Sequence, residues 1–476
     1  MQENIHFPSY PSSSHNFLKK LAKQTNGCQL ENGAIHQDLD IAVVGAGVGG
    51  LSAAIALKKA GFDVTVYEAA SALGEYRKIG AGIQVPPNSS RILHSWGLEE
   101  TLNKKAVKPE GVYWRRWQNG KVIGNSRFNP EFSKWFGAPY YVIHRAHLHE
   151  VLHDRAVELG VPIELNWRVV KYDLDAGSLT RGDGATIHAD LIVAADGIRS
   201  PARLTLLGES CNKLVSCGLA AYRAAIPMKA ILADPEISWV AESGSVELWV
   251  GHNAHAMTYS ISKGELFNMV LTHPETDEPG TWDQSNALAE MKAFYDGWDP
   301  VLTKLLNLVT STQKWPIQQI DIPEDWISPS GKVALLGDAA HAMLPNMALG
   351  AAMAVEDAAT LAECLKVHPG KDSLPKALDL YQKIRIPRAE AVQEASDLHG
   401  FILHYPDGPL QEARDAAMRA EVEGIHFPES PNQWSDPMTQ QFCYNYDAID
   451  QVYQALRDTP KKQSSAHKHY SAVWNS

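Results

Sequence analysis

Short apolar runs that end in glycine or an acidic residue are the clearest pattern in the first part of the chain. The run 40–44 (DIAVV) is almost wholly apolar, which is typical of a strand buried on both faces of a parallel sheet. A glycine-rich turn at 45–50 and a helical periodicity over 51–60 follow it. The alternating run 63–67 (DVTVY) then ends at Glu68. Together these segments predict a strand–helix–strand unit with parallel strands.

The spacing of apolar residues changes after about residue 200. Before that point, 145–159 has the periodicity of an amphipathic helix, and 190–195 (DLIVAA) is typical of another buried strand. Between 201 and 330, short alternating runs such as 246–250 and 255–261 predict antiparallel strands. This part of the chain is therefore expected to form a separate, mixed sheet.

The parallel-strand pattern returns at 332–336 (KVALL), ahead of an alanine-rich helix predicted over 351–365. We therefore expect an α/β fold in which a Rossmann-like nucleotide-binding domain is interrupted by a mixed-sheet domain, with a helical C-terminal part. The chain is predicted to begin with a polar N-terminal extension (1–37). The nucleotide-binding domain comprises two segments (38–200 and 331–400), with a substrate-binding domain between them (201–330). A C-terminal region of helices and loops (401–476) follows.

Composition narrows the classes of protein further. The 476 residues carry a net charge of −12, so the chain lacks the basic surface that nucleic acid or an anionic membrane would need. No apolar run reaches the roughly 18 residues of a membrane span, and the first 37 residues lack the apolar core of a secretory signal. Five cysteines without a CxxC pair are typical of reduced thiols. We expect a cytoplasmic protein, a monomer or homodimer, that binds neither nucleic acid nor a membrane.

Three glycines after the first predicted strand have the spacing of a phosphate-binding turn, GxGxxG. Gly45 permits the tight turn, Gly47 lets a pyrophosphate approach the backbone, and Gly50 lets the helix pack on the strand. The start of the helix then offers free N–H groups and the positive end of its dipole. Glu68 ends the second strand, where a carboxylate can hold ribose hydroxyls. A glycine-rich turn without a ligand is the competing interpretation, which the combination of strand, helix and acid disfavours.

Further motifs follow in order along the chain, and the set resembles the class A FAD-dependent aromatic hydroxylases, a group of flavoprotein monooxygenases. Within that group it is most similar to salicylate hydroxylase-like enzymes and to fungal enzymes that tailor polyketides. The resemblance runs from about residue 40 to 388, with a weaker match at 444–448 (YNYDA). The motifs that carry it are 45–50 (GAGVGG), 80–83 (GAGI) with 86–88 (PPN), 144–145 (HR), 195–197 (ADG) and 337–350 (GDAAHAMLPNMALG).

The resemblance implies where FAD would bind. Asp338 would accept hydrogen bonds from the ribityl hydroxyls. Gly350 and Ala351 would place a helix start at the flavin edge, where free N–H groups stabilise a reduced, anionic flavin. Taken alone, Asp338 is an ordinary strand-end carboxylate and 351–362 an ordinary packing helix. The other contacts that the resemblance implies are those of Arg145, of the backbone at Ala81 and Gly82, and of Asp196.

The same resemblance implies the reaction. NAD(P)H would reduce FAD, and O₂ would add to the reduced flavin as a C4a-hydroperoxide that hydroxylates or dearomatises a phenolic or other electron-rich aromatic compound. The sequence has no second GxGxxG, so NAD(P)H would dock only transiently. The alternatives are a flavin-dependent epoxidase of an alkene or indole, a flavoprotein reductase or oxidase without oxygen insertion, and a flavin-fold protein without activity.

Two residues of the inserted domain are candidates for substrate binding and catalysis. Arg223 lies in an otherwise apolar run, 218–226 (GLAAYRAAI), where a guanidinium needs an anionic or carbonyl partner. In polyketide-tailoring relatives, an Arg in the matching Tyr-Arg pair and a downstream Tyr orient the phenolate, and Tyr259 is the matching tyrosine. A structural ion pair of Arg223, a packing role of Tyr259 and a substrate-binding role of Tyr222 are the competing interpretations.

A cluster of histidines could suggest a metal site. It comprises His144, His147, His149 and His153 and includes an i,i+4 pair. No HExxH motif accompanies them, and flavin chemistry needs no metal. We therefore expect a solvated helix face and no metal.

The segment after Pro345 differs from the pattern of the relatives. They commonly carry an aromatic residue and an Arg or Gln there, whereas this chain has 346–349 (NMAL). Because these positions would border the flavin and the substrate, we expect a small aromatic substrate other than salicylate, such as a polyketide phenol of secondary metabolism.

Overall fold

The strand-forming runs of the sequence build four sheets. The computed structural model describes residues 37–72, 82–208, 214–278 and 281–458, and seventeen strands occur within these ranges. In chain order they are β1 (Gln37–Val44), β2 (Phe62–Tyr67), β3 (Gly82–Val85), β4 (Gly111–Arg116), β5 (Val122–Arg127), β6 (Tyr141–His144), β7 (Ile163–Glu164), β8 (Val169–Asp173), β9 (Ser178–Arg181), β10 (Thr186–His188), β11 (Leu191–Ala194), β12 (Leu214–Pro227), β13 (Val246–Gly251), β14 (Ala254–Ile261), β15 (Leu266–Pro274), β16 (Gln313–Ile320) and β17 (Val333–Leu335).

Helices connect these strands and make up most of the C-terminal part. Those in the described ranges are α1 (Val48–Lys59), α2 (Pro87–Ser95), α3 (Glu99–Lys105), α4 (Glu131–Phe136), α5 (Arg145–Glu158), α6 (Pro201–Leu207), α7 (Met228–Leu232), α8 (Ser238–Glu242), α9 (Ala287–Phe294), α10 (Pro300–Asn307), α11 (Asp338–His341), α12 (Gly350–Val367), α13 (Leu374–Leu403), α14 (Pro409–Ala417), α15 (Arg419–Glu423), α16 (Pro437–Tyr444) and α17 (Ala448–Asp458).

The first sheet is wholly parallel and has the order β17–β11–β1–β2–β7. The side chains of Ile41 on β1, Val193 on β11 and Leu335 on the edge strand β17 are fully buried. Helix α1 packs against β1 and β2, and α12 packs against α1. This arrangement confirms the Rossmann-like unit that the apolar runs predict, because strands covered on both faces need continuous apolar sequence.

The largest sheet has seven strands in the order β16–β12–β15–β14–β13–β4–β5. All neighbours are antiparallel except β13 and β4, so the sheet is mixed, as predicted. Residues of α9 and α10, such as Met291 and Leu305, form a buried cluster with Tyr222 and Met269 on one face of the sheet. Strands β4 and β5 come from residues 111–127, so the chain enters this sheet in two separate passes.

The C-terminal part is helical, as predicted. The 30-residue helix α13 leads into it, and α17 packs against α12 and α13. The predicted extension 1–37, apart from Gln37, and residues 459–476 lie outside the described residues. Within the described ranges no helix combines the length and apolarity needed to cross a bilayer. The division into domains stays a prediction.

Candidate active site

Close backbone contacts shape the glycine-rich turn between β1 and α1. Gly45 has a φ of +97°, and a Cβ atom there would lie 2.5 Å from the carbonyl oxygen of Ala195. A Cβ atom at Gly50 would overlap the carbonyl oxygen of Gly45. At Gly47, by contrast, a Cβ atom would meet no described atom within 4 Å. Gly45 and Gly50 therefore serve backbone packing, whereas Gly47 leaves the turn open on its outer side.

The start of α1 and the carboxylate of Glu68 lie beside this turn. The N-cap residue of α1 is Gly47, which has no side chain to cap the first N–H groups of the helix. Oε2 of Glu68 accepts a hydrogen bond from the N–H of Ala46 at 2.6 Å, and Oε1 accepts one from the N–H of Ala70 at 2.8 Å. The carboxylate is thus held in place, and each oxygen keeps a lone pair for a further donor.

Two of the four clustered histidines make structural contacts in this region. Nε2 of His149 lies 2.7 Å from the carbonyl oxygen of Ala46, and Nδ1 of His144 accepts the N–H of Ala146 at 3.1 Å, which caps α5. Both side chains are buried, and burial lowers both pKa values. The prediction of a solvated helix face is therefore wrong for His144 and His149. In the described ranges, no three His, Cys, Asp or Glu side chains are placed to hold a metal ion.

Asp196 follows β11 and lies against the same turn. A Cβ atom at Gly45 would lie 3.5 Å from its Cα. Oδ2 of Asp196 accepts hydrogen bonds from the Tyr172 hydroxyl at 2.9 Å and from the N–H of Ala202 at 3.1 Å. Burial raises the pKa of Asp196, although its hydrogen bonds oppose the shift. Asp196 thus anchors the turn after β11 beside the glycine turn.

A third turn follows β17 and presents Asp338. Gly337, with a φ of +64°, donates its N–H to Oδ2 of Asp357 on α12 at 3.0 Å, and Nε2 of His341 lies 2.6 Å from the same oxygen. Arg203 donates to the carbonyl oxygen of Ala339 at 2.9 Å. These contacts hold the turn while the side chain of Asp338 itself stays exposed.

The long helix α12 begins close to this third turn. Its N-cap residue, Leu349, makes no side-chain capping hydrogen bond, so the first N–H groups, at Gly350 and Ala351, have no such partner. The aligned peptide dipoles of an 18-residue helix place partial positive charge at this end. An anionic group is therefore stabilised there.

These segments and the largest sheet surround one cavity of about 580 Å³. Most of the predicted site residues meet on its walls: Gly45, Gly47, Glu68, Gly82, Arg145, Asp196, Arg223, Tyr259, Asp338, Gly350 and Ala351. Gly50 is buried beneath the turn and does not line the cavity. Ala81 lies outside the described residues.

One face of the largest sheet forms a wall of this cavity. Alternate residues of three neighbouring strands line it: Ala221 and Arg223 on β12, Val270 and Thr272 on β15, and His255, Met257 and Tyr259 on β14. The strand pairing aligns them in rows, Ala221–Thr272–His255 and Arg223–Val270–Met257. Successive rows are two residues, or about 7 Å, apart along the strands. Tyr222 belongs to the opposite face, where its ring stacks on His273 at 4.4 Å.

Arg223 is the positively charged side chain on the face of the sheet that lines the cavity. Its Nε is buried and has no hydrogen-bond partner among the described residues. Burial, with the positive charge of Arg145, lowers the pKa of Arg223, and Tyr259 opposes this shift. Because a guanidinium stays protonated in proteins, the half-buried Arg223 is a positive charge on the cavity wall that can bind an anion.

Tyr259 packs its ring directly against Gly82, where any side chain would overlap the ring. The N–H of Gly82 donates to Oδ1 of Asn268 at 2.7 Å, and Asn268 is the strand partner of Tyr259. Burial raises the pKa of Tyr259 despite the charge of Arg223. The phenol group therefore stays protonated and can donate a hydrogen bond into the cavity.

His255 is a wall residue that is not among the predicted site residues. Its Nε2 lies 3.2 Å from Oγ1 of Thr272, and its Nδ1 lies 2.8 Å from Nε2 of His404. Burial, with a contribution from His404, lowers the pKa of His255 well below its usual value, so the ring is neutral. Successive side chains of the predicted strand 255–261 point to opposite faces of the sheet, so His255 and Tyr259 lie on the same face. This spacing is the sequence signal that could have identified His255 as a residue of the cavity wall.

The parallel sheet with its glycine turn, the two further turns and the start of α12 define a dinucleotide-binding flavoprotein fold around the cavity. Residues 38–396 match the protein family described as "FAD binding domain". The chain therefore belongs to this family.

Comparison with individual proteins indicates the same family and the kind of enzyme that it contains. The chain is 35% identical over 430 residues to the FAD-dependent monooxygenase OpS4 of Beauveria bassiana, which covers 90% of this chain and 99% of that protein. It is 34% identical to the 3-hydroxybenzoate 6-hydroxylase of Polaromonas naphthalenivorans, over 77% of this chain and 88% of that one. A solved salicylate hydroxylase substrate complex is 25% identical, with a TM-score of 0.69 over 88% of this chain and 98% of that chain. The chain is thus an enzyme of the FAD-dependent aromatic monooxygenase family.

The residues around the cavity fit FAD. Gly47 leaves open space where a phosphate can approach, and the starts of α1 and α12 supply N–H groups without side-chain caps. Glu68 and Asp338 offer carboxylate oxygens to hydroxyl groups, and Arg145 adds a positive charge to the lining. FAD contains these groups, namely phosphates, hydroxyls and a flavin edge that becomes anionic on reduction.

Proposed function

We propose that this enzyme uses FAD, NAD(P)H and O₂ to hydroxylate, or to dearomatise, a small phenolic or other electron-rich aromatic compound. The observation that carries the proposal is the positive charge of Arg223, with a buried and unpartnered Nε, on the wall of the cavity that the turns and helix starts also line. A cation on the cavity wall stabilises the phenolate form of a substrate, which is the form most reactive toward an electrophilic oxygen.

FAD binding is assigned to the residues that line the other walls. Gly47, the start of α1 and Arg145 hold the pyrophosphate, while Glu68 and Asp338 accept hydrogen bonds from hydroxyl groups. Gly350 and Ala351 present their N–H groups to the flavin edge. The further assigned contacts are those of Gly45, Ala81, Gly82 and Asp196, while Gly50 supports the turn from beneath and does not line the cavity. When bound, FAD supplies two-electron chemistry, namely acceptance of hydride from NAD(P)H and activation of O₂ for transfer to the ring.

The wall of the largest sheet is assigned to the substrate. Arg223 pairs with the phenolate oxygen, and the protonated hydroxyl of Tyr259 donates a hydrogen bond to the substrate. In the row of wall residues next to that of Arg223, Thr272 and His255 offer the substrate a second polar contact. Val270 and Met257, in the same row as Arg223, contact the substrate ring. The name of the 3-hydroxybenzoate hydroxylase relative supports a phenolic ring.

The proposal is tested by following NADH and NADPH oxidation with a panel of phenols, hydroxybenzoates, alkyl resorcinols and indoles. We expect at least one phenolic compound to stimulate NAD(P)H oxidation and to give an oxygenated product. In Arg223→Ala, the same compound should yield mainly hydrogen peroxide, whereas Gln313→Ala, at the strand partner of Arg223 outside the cavity lining, should remain coupled.

Other results of this experiment would indicate one of the alternative activities. An oxygenated alkene or indole product that Arg223→Ala still forms at the wild-type rate would indicate an epoxidase. Reduction or oxidation of the panel without an oxygenated product would indicate a reductase or oxidase. Either result would contradict the role assigned to Arg223.

A further inference from the structure

The wall of the largest sheet continues past Arg223 onto the edge strand β16. Strand pairing places Trp315 beside Ala221, which adds a fourth strand to the row of wall residues that contains Ala221. Both residues line the cavity. In the neighbouring row, the partner of Arg223 on β16 is Gln313, which does not line the cavity. On β16 the cavity therefore extends away from the charge of Arg223.

Apolar residues form this end of the cavity. Ile317, two residues beyond Trp315 on β16, also lines the cavity and is 8% exposed. The segment after α11 and the end of α13 complete the lining. The residues of this region, which we call the apolar arm, are Ala221, Trp315, Ile317, Met343, Leu344 and Leu403.

Hydrogen bonds hold the parts of the apolar arm together. The N–H of Ile320, at the end of β16, donates to the carbonyl oxygen of Ala342 at 3.0 Å. Nε2 of Gln393 on α13 donates to the carbonyl oxygen of Ile320, also at 3.0 Å. Oγ of Ser396 donates to the carbonyl oxygen of Leu344 at 2.7 Å. The strand, the segment after α11 and α13 are thus fixed to one another, so the arm is formed before any ligand binds.

The apolar arm opens to solvent at the edge of the sheet, because Trp315 is 39% exposed although it lines the cavity. An apolar group that enters the arm covers this ring and leaves water, which is favourable. Among the described residues, the charged side chains of the cavity lining come from other segments, namely Glu68, Arg145, Arg168, Asp196, Arg223 and Asp338. A charged group would therefore have no ion-pair partner in the arm.

We propose that the substrate is a phenol with an apolar side chain, and that this side chain lies in the apolar arm while the phenolate oxygen pairs with Arg223. The inference rests on the proposed function, which places the ring beside Arg223. Trp315 lies one strand and two residues away from Arg223, which corresponds to about 8 Å along the wall. The substrate ring covers the near part of this distance, and the side chain covers the remainder. The segments assigned to FAD lie outside this sheet, so the assignment leaves the arm to the substrate.

The test measures dissociation constants from the flavin absorbance of the oxidised, FAD-loaded enzyme. The ligands are phenol and 3-alkylphenols whose chains range from methyl to heptyl. Each methylene that enters the arm should lower the dissociation constant about fourfold. The gain should level off once the chain passes the exposed ring of Trp315, because further carbon atoms stay in water.

Two variants alter the apolar arm in different ways. Ala221→Leu fills it from the wall, and Trp315→Gln removes its apolar outer end. In both, the dissociation constant of phenol divided by that of 3-pentylphenol should fall about tenfold below the wild-type ratio. The ratio compares two ligands of one protein, so a general loss of affinity cancels. Trp282→Gln is the matched control, because Trp282 packs on Lys314 of the same strand and does not line the cavity. It should keep the wild-type ratio.

Dissociation constants of wild type that do not change with chain length would overturn the proposal, whether or not the variants fold. Wild-type ratios in Ala221→Leu and Trp315→Gln would also overturn it. Failure of the proposed function gives a different result, since none of the phenols would then stimulate NAD(P)H oxidation, whatever the length of its chain.

Discussion

Arg223 is held in a position that costs folding free energy. Its neighbours on the same face of the sheet are Ala221, Val270 and Met257, which are apolar, and its Nε has no partner among the described residues. An isolated buried charge is unfavourable unless an anion compensates it. Arg223 is therefore expected to lower the free energy of unfolding of the substrate-free enzyme. Binding of an anionic substrate should offset this loss.

Arg223→Met should raise the free energy of unfolding of the substrate-free enzyme by about 1–2 kcal/mol, because a side chain of similar length replaces an uncompensated charge. The same variant should lose substrate binding. Urea denaturation and substrate-dependent NAD(P)H oxidation measure the two effects. A variant that is less stable than wild type would show that Arg223 already has a structural partner.

Tyr259→Phe should raise the KM for a phenolic substrate about tenfold, the cost of one hydrogen bond to a charged group. The ring and its packing against Gly82 are retained, so FAD content should not change. Tyr222→Phe is the control, because Tyr222 lies on the opposite face of the sheet. Equal KM values for Tyr259→Phe and wild type would leave Tyr259 with a packing role only.

Helix α12 connects the turn after β17 to the C-terminal helices through a buried ionic cluster. Asp357 accepts the N–H of Gly337 at 3.0 Å and contacts His341 at 2.6 Å, while Nε of Arg385 on α13 lies 2.7 Å from its other oxygen. The neighbouring Glu356 contacts both Arg385 and Arg388. The helix whose start we propose to lie at the flavin edge therefore also holds the turn that presents Asp338.

Asp357→Asn should lower the free energy of unfolding by about 3–5 kcal/mol near neutral pH, because it leaves buried cations without their partner. Burial alone would raise the pKa of Asp357, but His341 and Arg385 lower it to about 2. This value is below the unfolded pKa of about 3.9, so the stabilisation is complete above that pH and is lost as the pH falls toward about 2.

Urea denaturation of both proteins at a series of pH values measures this effect. The difference between wild type and Asp357→Asn should shrink below about pH 4. Asp379→Asn, at an exposed ion pair with Lys383 on α13, is the control and should change stability by less than about 0.5 kcal/mol. A difference that stays constant down to acid pH would contradict the assigned pKa.

The sequence predicts the elements well where the signal lies in neighbouring residues. Continuous apolar runs mark β1, β11 and β17, and the GxGxxG spacing marks the first turn, because both signals depend on neighbouring residues. The role of Asp357 is hidden in an alanine-rich helix, since its partners lie 16 to 28 residues away. His255 pairs with His404 across 149 residues, and no local pattern predicts such a contact.

In the whole molecule, the cavity joins segments that are far apart in sequence. The glycine turn, the turn after β11, the turn after β17 and the wall at β12, β14 and β15 each supply part of its lining. Bound FAD would contact several of these segments at once. The cofactor is therefore expected to stabilise the folded enzyme as a unit.

Removing FAD should lower the melting temperature. When FAD is added back at a free concentration 100 times its dissociation constant, the free energy of unfolding should rise by about 2.7 kcal/mol. Asp338→Ala should show a smaller gain at the same FAD concentration, because it lacks a hydroxyl-binding carboxylate, whereas the exposed Asp325→Ala should behave as wild type. Differential scanning fluorimetry with added FAD measures both. Full FAD occupancy and activity in Asp338→Ala would contradict the assigned contact.

The proposed reaction of this enzyme is the transfer of an oxygen atom from O₂ to an aromatic ring. The most direct test is turnover with NAD(P)H under ¹⁸O₂, with the panel of phenols, hydroxybenzoates, alkyl resorcinols and indoles, followed by mass spectrometry of the products. We predict one ¹⁸O atom in the product of a phenolic substrate, together with substrate-stimulated NAD(P)H consumption. An unlabelled reduced or oxidised product would contradict the claim and make the enzyme a reductase or an oxidase.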